Sequence, residues 1–487
     1  MPKNAPTGSP KPFYITTTLP YVNAEPHVGH AVEFIRADAI ARYQRLMGRE
    51  VFFNTGVDEH GVKNYRKAKE QGIEPQTYVD QASAKFKEIL PQLGIMPEAN
   101  FVRTTDPRHM AAAQEFWRIV DKKGYIYKKN YSVKYCVGCE LEKTDSELVN
   151  GHCPIHPLQE LELIQEENYF FKFSAFKDKL LALYASNPDF VVPESRFNEI
   201  RAFVERGPED FSISRLVSKM PWGVPVPSDE NHVMYVWFDA LSNYISVVGW
   251  PDRPADFQKW WVDSGGVVQY CGKDNLRQQS AMWQAMLMAV GLSPSKTIVI
   301  DGFVTGDGGL KMSKSLGNVV NPLDIVKEYG TDALRYYVCR TLNPFEDSPF
   351  TSEKFKEAYN AGLANGIGNL ASRVMKMAQD NLDGPVEIPP NTIPDDFKKA
   401  MESFNIQAAA DIVWKHIAEA DGIIQSQSPF KLVKTDKPAA QKIIADLCIR
   451  LYTVARMLNP ILPTTSEAIK ALVKANKMPA APLFARK

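Results

Sequence analysis

The chain has 487 residues, of which 44% are hydrophobic and 23% charged. That is enough for about three domains of ordinary size and an apolar core, and it excludes an intrinsically disordered chain. Lys plus Arg and Asp plus Glu are both 57, so the net charge is zero and no global field draws in a polyanion; nucleic-acid contact must rest on local patches. No apolar run is long enough to span a bilayer, and the opening MPKNAPTGSPKPF has no apolar signal core, so a cytoplasmic protein is expected. Six unevenly spaced cysteines suit reduced thiols better than a disulfide framework.

In chain order, FYITTT is β-branched and aromatic, as a buried strand should be. After a loop with Pro20 and Pro26, apolar Val32, Ile35, Ala39, Tyr43 and Leu46 or Met47 recur at helical steps. A helix from Val28 to about Met47 is predicted, stopped by Gly48. EVFFNTG is a second strand, and strand, helix, strand makes a right-handed parallel crossover. GGVVQYCGKD and KTIVIDGFVTGDGG resume the pattern, with helical LRQQSAMWQAMLMAVG between them. The stretch 116–225, which holds three cysteines and a basic aromatic run, does not alternate in this way and reads as an insert. Beyond Ser352 only helices are expected, with one apolar stripe at Leu363, Ile367, Leu370, Val374 and Met377. A second stripe runs through Ile443, Leu447, Leu451, Ala455 and Leu458. The expected plan is an α/β doubly wound parallel sheet at 1–115 and 226–300, interrupted by 116–225. A lysine-rich loop region follows at 301–352, then a helical bundle at 353–487.

In an open α/β sheet ligands bind beyond the carboxyl ends of the strands. Four unusual peptides fall there: PHVGH, GVDEHG, CGKD and KMSKS. His27 and His30 at a helix start would add donors where anions are already favoured, which suits a phosphate chain. Gly29 would let a flat base lie against bare backbone. Lys311 and Lys314, in a Gly-rich loop, can balance charge on a leaving pyrophosphate. Taken singly, His27 could be a substitute helix cap, His30 a partly buried core residue and KMSKS a solvated basic turn. Shared placement on one sheet edge argues for a site.

The HVGH and KMSKS pair resembles the class I aminoacyl-tRNA synthetases. LPYVNAEPHVGH, NTGVDEHG, MYVWFDALSNYIS, CGKD, KMSKSLGNVVNP and GNLASR are similar to peptides of their methionine-specific branch, from Phe13 to the C-terminal helices. The resemblance implies a Rossmann-type catalytic domain with an inserted zinc-knuckle module and an all-helical anticodon-binding bundle. It implies activation of methionine with ATP and Mg2+, release of pyrophosphate, and transfer to the 3'-terminal ribose of initiator and elongator tRNA(Met). Matched motif by motif, ATP falls to His27, Gly29, His30, Glu33, Gly272, Asp274 and Lys314, with Lys311 beside Lys314 in the chemistry and the two histidines catalytic. Methionine falls to Leu19, Tyr21, Trp237, Ala240, Leu241 and Tyr244, with Asp58 on its ammonium group. Aromatic rings suit a thioether, although Trp237 could equally be ordinary core. One departure stands out: NLRQQS follows GKD, placing Asn275 and Gln279 where many relatives carry Ile and His.

Cys136, Cys139, His152 and His156 have two, twelve and three residues between them, which satisfies the DNA-reading finger pattern. That reading fails because Asn150, Gly151 and Pro154 oppose the helix a finger needs. Cys136, Cys139, Cys153 and His156 instead form two short turns that would face each other as a tetrahedral knuckle. This resembles the family's zinc knuckle, with His156 for a frequent fourth cysteine; metal-free thiols are the alternative. A closed four-ligand site implies one structural Zn2+ outside the chemistry.

Asn365, Asn369 and Arg373 share a helix face at four-residue steps, where polar edges can meet unpaired bases. The family's anticodon-reading asparagine and arginine match Asn369 and Arg373, and Phe430 stands where a stacking tryptophan is usual; for Asn365 a solvated face is the simpler reading. Two rivals lose ground on the same residues. A leucine or cysteine enzyme would be expected to carry a large editing insert or a catalytic zinc, and an RNA-binding paralogue would not need both signature peptides. No added dimerisation segment follows the bundle, so a monomer is expected.

Overall fold

A computed structural model describes residues 11–139, 141–143, 145–306, 320–390 and 393–487, without the side chains of 131, 133, 141, 142 and 146. Its centre is a six-stranded parallel sheet. Across the sheet the strands run Asn100–Arg103, Val51–Val57, Phe13–Thr17, Val267–Gly272, Thr297–Asp301 and Val191–Val192. Winding to one side from Phe13–Thr17 and to the other from Val267–Gly272 opens a crevice between these two neighbours. The first strand alternates as a strand between two layers must: Phe13 and Ile15 enter one apolar core and Tyr14 the other.

The helix Val28–Leu46 is capped by His27 and ends at Met47, as its periodicity predicts. It is buried on nearly every face, polar residues included. Buried charge is tolerated only when paired. Arg36 pairs with Asp301 and donates to the carbonyl of Leu342 at 2.8 Å. Asp38 meets Arg42 and the fully buried Arg335, each at 2.7 Å. Arg335 also donates to the carbonyls of Ile461 and Pro460, at 2.8 and 3.0 Å. The helix that starts at HVGH is thus tied both to the end of a sheet strand and to the C-terminal helices.

The stretch 116–225 builds a four-stranded antiparallel sheet of Leu141–Lys143, Ile126–Cys136, Glu162–Phe171 and Phe211–Ser212. It also sends Val191–Val192 back to the edge of the parallel sheet. From Ser352 onward the regular elements among the described residues are all helices, including Ile406–Gln427 and Lys437–Leu458. Leu363, Ile367, Leu370, Val374 and Met377 are buried, as are Leu447, Leu451, Ala455 and Leu458 of the second stripe. Ile444, not Ile443, turns fully inward at its start. One contiguous apolar core joins Ile15 and Phe34 of the α/β layer to Leu363 and Leu451 of the helices. No helix among the described residues is long and apolar enough to cross a membrane.

Candidate functional site

A cavity of about 400 Å³ opens at the carboxyl ends of the central strands, a size that suits a small-molecule site. His27, Gly29, His30, Glu33, Gly272 and Asp274 line it, so every described residue expected to handle ATP reaches one space. Lys311 and Lys314 lie outside the described residues.

The histidine pair is both a cap and a donor surface. His27 Nδ1 accepts from the N–H of Gly29 at 3.1 Å, and His30 Nδ1 accepts from the N–H of His27 at 3.3 Å. The rings stack with centroids 3.8 Å apart. A neutral imidazole that accepts at Nδ1 carries its proton on Nε2. Burial, with the neighbouring His27 adding to it, holds His30 well below the usual histidine range, so His30 is such a neutral donor near pH 7. The substitute-cap reading and the site reading of His27 therefore describe one geometry. A Cβ on Gly29 would sit 3.0 Å from the His27 ring, in the space where the cap is made.

The acidic side of the cavity is desolvated. Burial pushes the Glu33 carboxyl well above the carboxylate range, partly offset by the Thr18 N–H that donates to it at 2.5 Å. Asp301 is pushed up to about 6 by burial, against the pull of Arg36.

Of the residues expected around methionine, Leu19, Tyr21, Asp58, Trp237 and Asn275 line the cavity. Tyr21 and Asp58 face each other in a bridge between their loops, and the Asp58 N–H donates to the Pro20 carbonyl at 2.9 Å. Ala240, Leu241, Tyr244 and Gln279 are buried but not among the lining residues. Gln279 donates to the Tyr244 hydroxyl at 2.8 Å and accepts from Gln269 at 2.5 Å, so its amide is committed to a network behind the wall.

The short helix Val236–Ala240, which carries Trp237, is anchored by Asp239. This wholly buried carboxylate meets His60 at 2.5 Å and His109 at 2.7 Å. Burial alone would raise its pKa, but the two histidines hold it down at about 2. His60 lies two residues beyond Asp58, so one buried hydrogen-bonded cluster fixes the Trp237 wall against the Asp58 loop.

Sequence reasoning missed several lining residues, among them the polar Gln278 and Lys63. Gln278 is 2% exposed, and its Oε1 finds no hydrogen-bond partner among the described residues. The available signal was two adjacent glutamines at the head of a mostly apolar helical stretch. Lys63 carried no signal, because the feature that places it lies in the distant cysteine segment.

That segment forms the expected cluster. Cys136, Cys139, Cys153 and His156 bring their ligand atoms within 4.8 Å of one another, while His152 lies outside and bridges Val149. Cys139 Sγ is 3.5 Å from Cys153 Sγ and 3.2 Å from His156 Nδ1. A tetrahedral metal with thiolate bonds of about 2.3 Å needs sulfur atoms roughly 3.8 Å apart. The spacing fits a metal ion of that kind. Burial raises the Cys153 pKa, but the N–H groups of His156 and Ile155 together with the Cys139 and Cys136 thiols outweigh it, leaving Cys153 below the ordinary thiol range. The knuckle is not remote: Gly138, Cys139, Ile155 and His156 line the same cavity as His30 and Trp237.

On the helical side, Asn369 is exposed and Arg373 pairs with Asp421 at 2.7 Å. Phe430 is 48% exposed at the start of Pro429–Leu432. Asn365 accepts from Arg486 at 2.7 Å.

The model of the family "tRNA synthetases class I (M)" matches residues 13–162 and 157–375. The chain is 39% identical over 477 residues to a methionine–tRNA ligase of Mesorhizobium japonicum, covering 95% of this chain and 91% of that one. It is 39% identical over 491 residues to one of Streptomyces coelicolor, covering 94% and 89%. Among solved structures, Mycobacterium tuberculosis methionyl-tRNA synthetase in complex with methionyl-adenylate superposes with a TM-score of 0.88 at 34% identity, covering 98% of this chain and 100% of that one. The free form of that enzyme superposes with a TM-score of 0.81 at 31% identity, covering 98% of each chain.

Proposed function

The chain belongs to the class I tRNA synthetases as a methionine–tRNA ligase, and from that premise we propose how its residues divide the two half-reactions. In the first, the methionine carboxylate attacks the α-phosphorus of ATP, giving methionyl-adenylate and pyrophosphate. In the second, a hydroxyl of the 3'-terminal ribose of tRNA(Met) attacks the carbonyl carbon and AMP leaves.

The observation that carries this division is the single cavity reached by HVGH, Asp58, Trp237 and the Gly272–Asp274 turn. His27 and His30 present N–H donors to the phosphates, and Gly29 offers close approach at the first turn of a long helix, whose N-terminus favours anions. Charge on the departing pyrophosphate, with its Mg2+, falls to Lys311 and Lys314. Asp58 holds the methionine ammonium group. Leu19, Tyr21 and Trp237 receive the side chain, with Ala240, Leu241, Tyr244 and Gln279 backing the wall from behind. Asn369, Arg373 and Phe430 read the anticodon as polar edge and stacking face.

Cys136, Cys139, Cys153 and His156 hold one structural Zn2+. A closed set of four protein ligands supplies folding free energy and leaves no open position for catalysis. The enzyme works as a cytoplasmic monomer.

Amino-acid-dependent pyrophosphate exchange across all twenty amino acids tests the reading. Methionine is expected to dominate; exchange driven by another amino acid, or by none, overturns it.

A further inference from the structure

Resting on the reading of this cavity as the methionine-activating site, we propose that Lys63 is a positioning residue that carries the fold of the cysteine–histidine knuckle into the amino-acid end of the cavity. Lys63 opens the helix Val62–Gln71, five residues after Asp58. Its ammonium group donates to the Gly138 carbonyl at 2.8 Å and lies 4.7 Å from the centroid of the Tyr21 ring. It therefore grips the knuckle with a hydrogen bond and the substrate wall with a cation–π contact.

The Gly138 carbonyl is where it is because of the metal ligands. Gly138 lies between Cys136 and Cys139, and the Cys139 N–H points to Cys136 Sγ at 3.5 Å. A Cβ on Gly138 would come within 2.5 Å of the His156 ring, so only glycine lets this turn pack on the fourth ligand. Gly138, Cys139, His156, Lys63, Tyr21 and Asp58 all border one cavity. The path of contact runs from the ligand turn through the Gly138 carbonyl and the Lys63 ammonium to the Tyr21 ring, and the Tyr21 backbone is paired with that of Asp58. Opening the knuckle removes the acceptor that holds the ammonium over the ring. HVGH sits on another helix, anchored by Arg36 and Asp38, and is outside this path.

The link predicts a split between the two substrates. Lys63→Met should retain its metal by atomic spectroscopy and raise the methionine KM in pyrophosphate exchange about 5- to 20-fold. Its ATP KM and kcat should stay within about twofold of wild type. Lys63→Arg, which keeps a cationic donor, should stay within about twofold in all three and shows that the fold tolerates change at this position. Chelating the wild-type chain should raise the methionine KM by the same factor, and chelating Lys63→Met should add nothing further. An unchanged methionine KM in Lys63→Met, equal rises for both substrates, or a full further rise on chelating that variant would each overturn the link. If the wild-type chain shows no methionine-dependent exchange, it is the functional reading that falls, and the link falls with it.

Discussion

The crevice of the parallel sheet and the outer face of the helical region present their polar groups in opposite ways. In the crevice, groups from at least four chain segments meet in one space, with His30 and Glu33 desolvated and Trp237 locked by a buried carboxylate. On the helical face, Asn369 is exposed, Arg373 is part-exposed and paired with Asp421, and Phe430 is half-exposed. Preorganised groups in a dry site act on the chemical step. Solvated groups on a helix face act on which partner binds, and each contributes less.

Five substitutions would break or sharpen that contrast. Lys314→Ala should slow methionyl-adenylate formation by about 10²- to 10³-fold, with methionine binding nearly unchanged, since its proposed role is to meet charge that develops in the transition state. Rapid-quench measurement of adenylate decides it; an unchanged rate with weakened methionine binding would move Lys314 out of the chemistry.

Arg373→Ala should leave pyrophosphate exchange intact and reduce kcat/KM for aminoacylation by about 5- to 150-fold, the scale of losing one contact to an unpaired base. The variant should also discriminate less against tRNA with an altered anticodon. Discrimination at the wild-type factor would show that Arg373 attracts phosphate and reads no base.

Asp239→Asn should destabilise the protein by about 2 kcal/mol near neutral pH, from a carboxyl held at about 2 instead of the usual 3.8. A depressed carboxylate pKa stabilises above the unfolded value, so the wild-type advantage should be full above about pH 4 and shrink as the pH falls towards 2. Urea unfolding of both proteins at several pH values would show it; a gap that does not narrow in acid would point to packing. The methionine KM should rise as well, because Trp237 rides on the same short helix.

The smallest effect is expected at His152. Its replacement by Ala should leave the metal content unchanged, whereas Cys153→Ala should release the metal. The reverse result would restore the finger-like ligand set.

Much of this was legible locally. The boundaries of Val28–Leu46 follow from apolar spacing and the stop at Gly48, and the knuckle ligands follow from two short turns with a breaker between them. Of the four peptides, the three within the described residues, PHVGH, GVDEHG and CGKD, could be grouped because parallel crossovers send every such loop to one edge. Ile443 packs on the edge of the core while Ile444 beside it turns fully inward, because a helical stripe drifts against whole-number spacing over several turns and only packing decides which neighbour is buried deepest.

The sequence by itself determined which residue types stand at each loop: the histidine pair around Gly29, the cysteine set, and the acidic residue after the second strand. These are properties of short segments, where spacing and backbone preference suffice. Tertiary structure alone decided that Gln279 is spent on Tyr244 while its neighbour Gln278 borders the cavity, that Asp239 joins His60 to His109, and that the knuckle forms part of the wall through Gly138 and Lys63. Each of the last two relations spans 75 or more positions in the chain. Contacts between distant segments depend on how separately folded elements pack, and no local spacing encodes that.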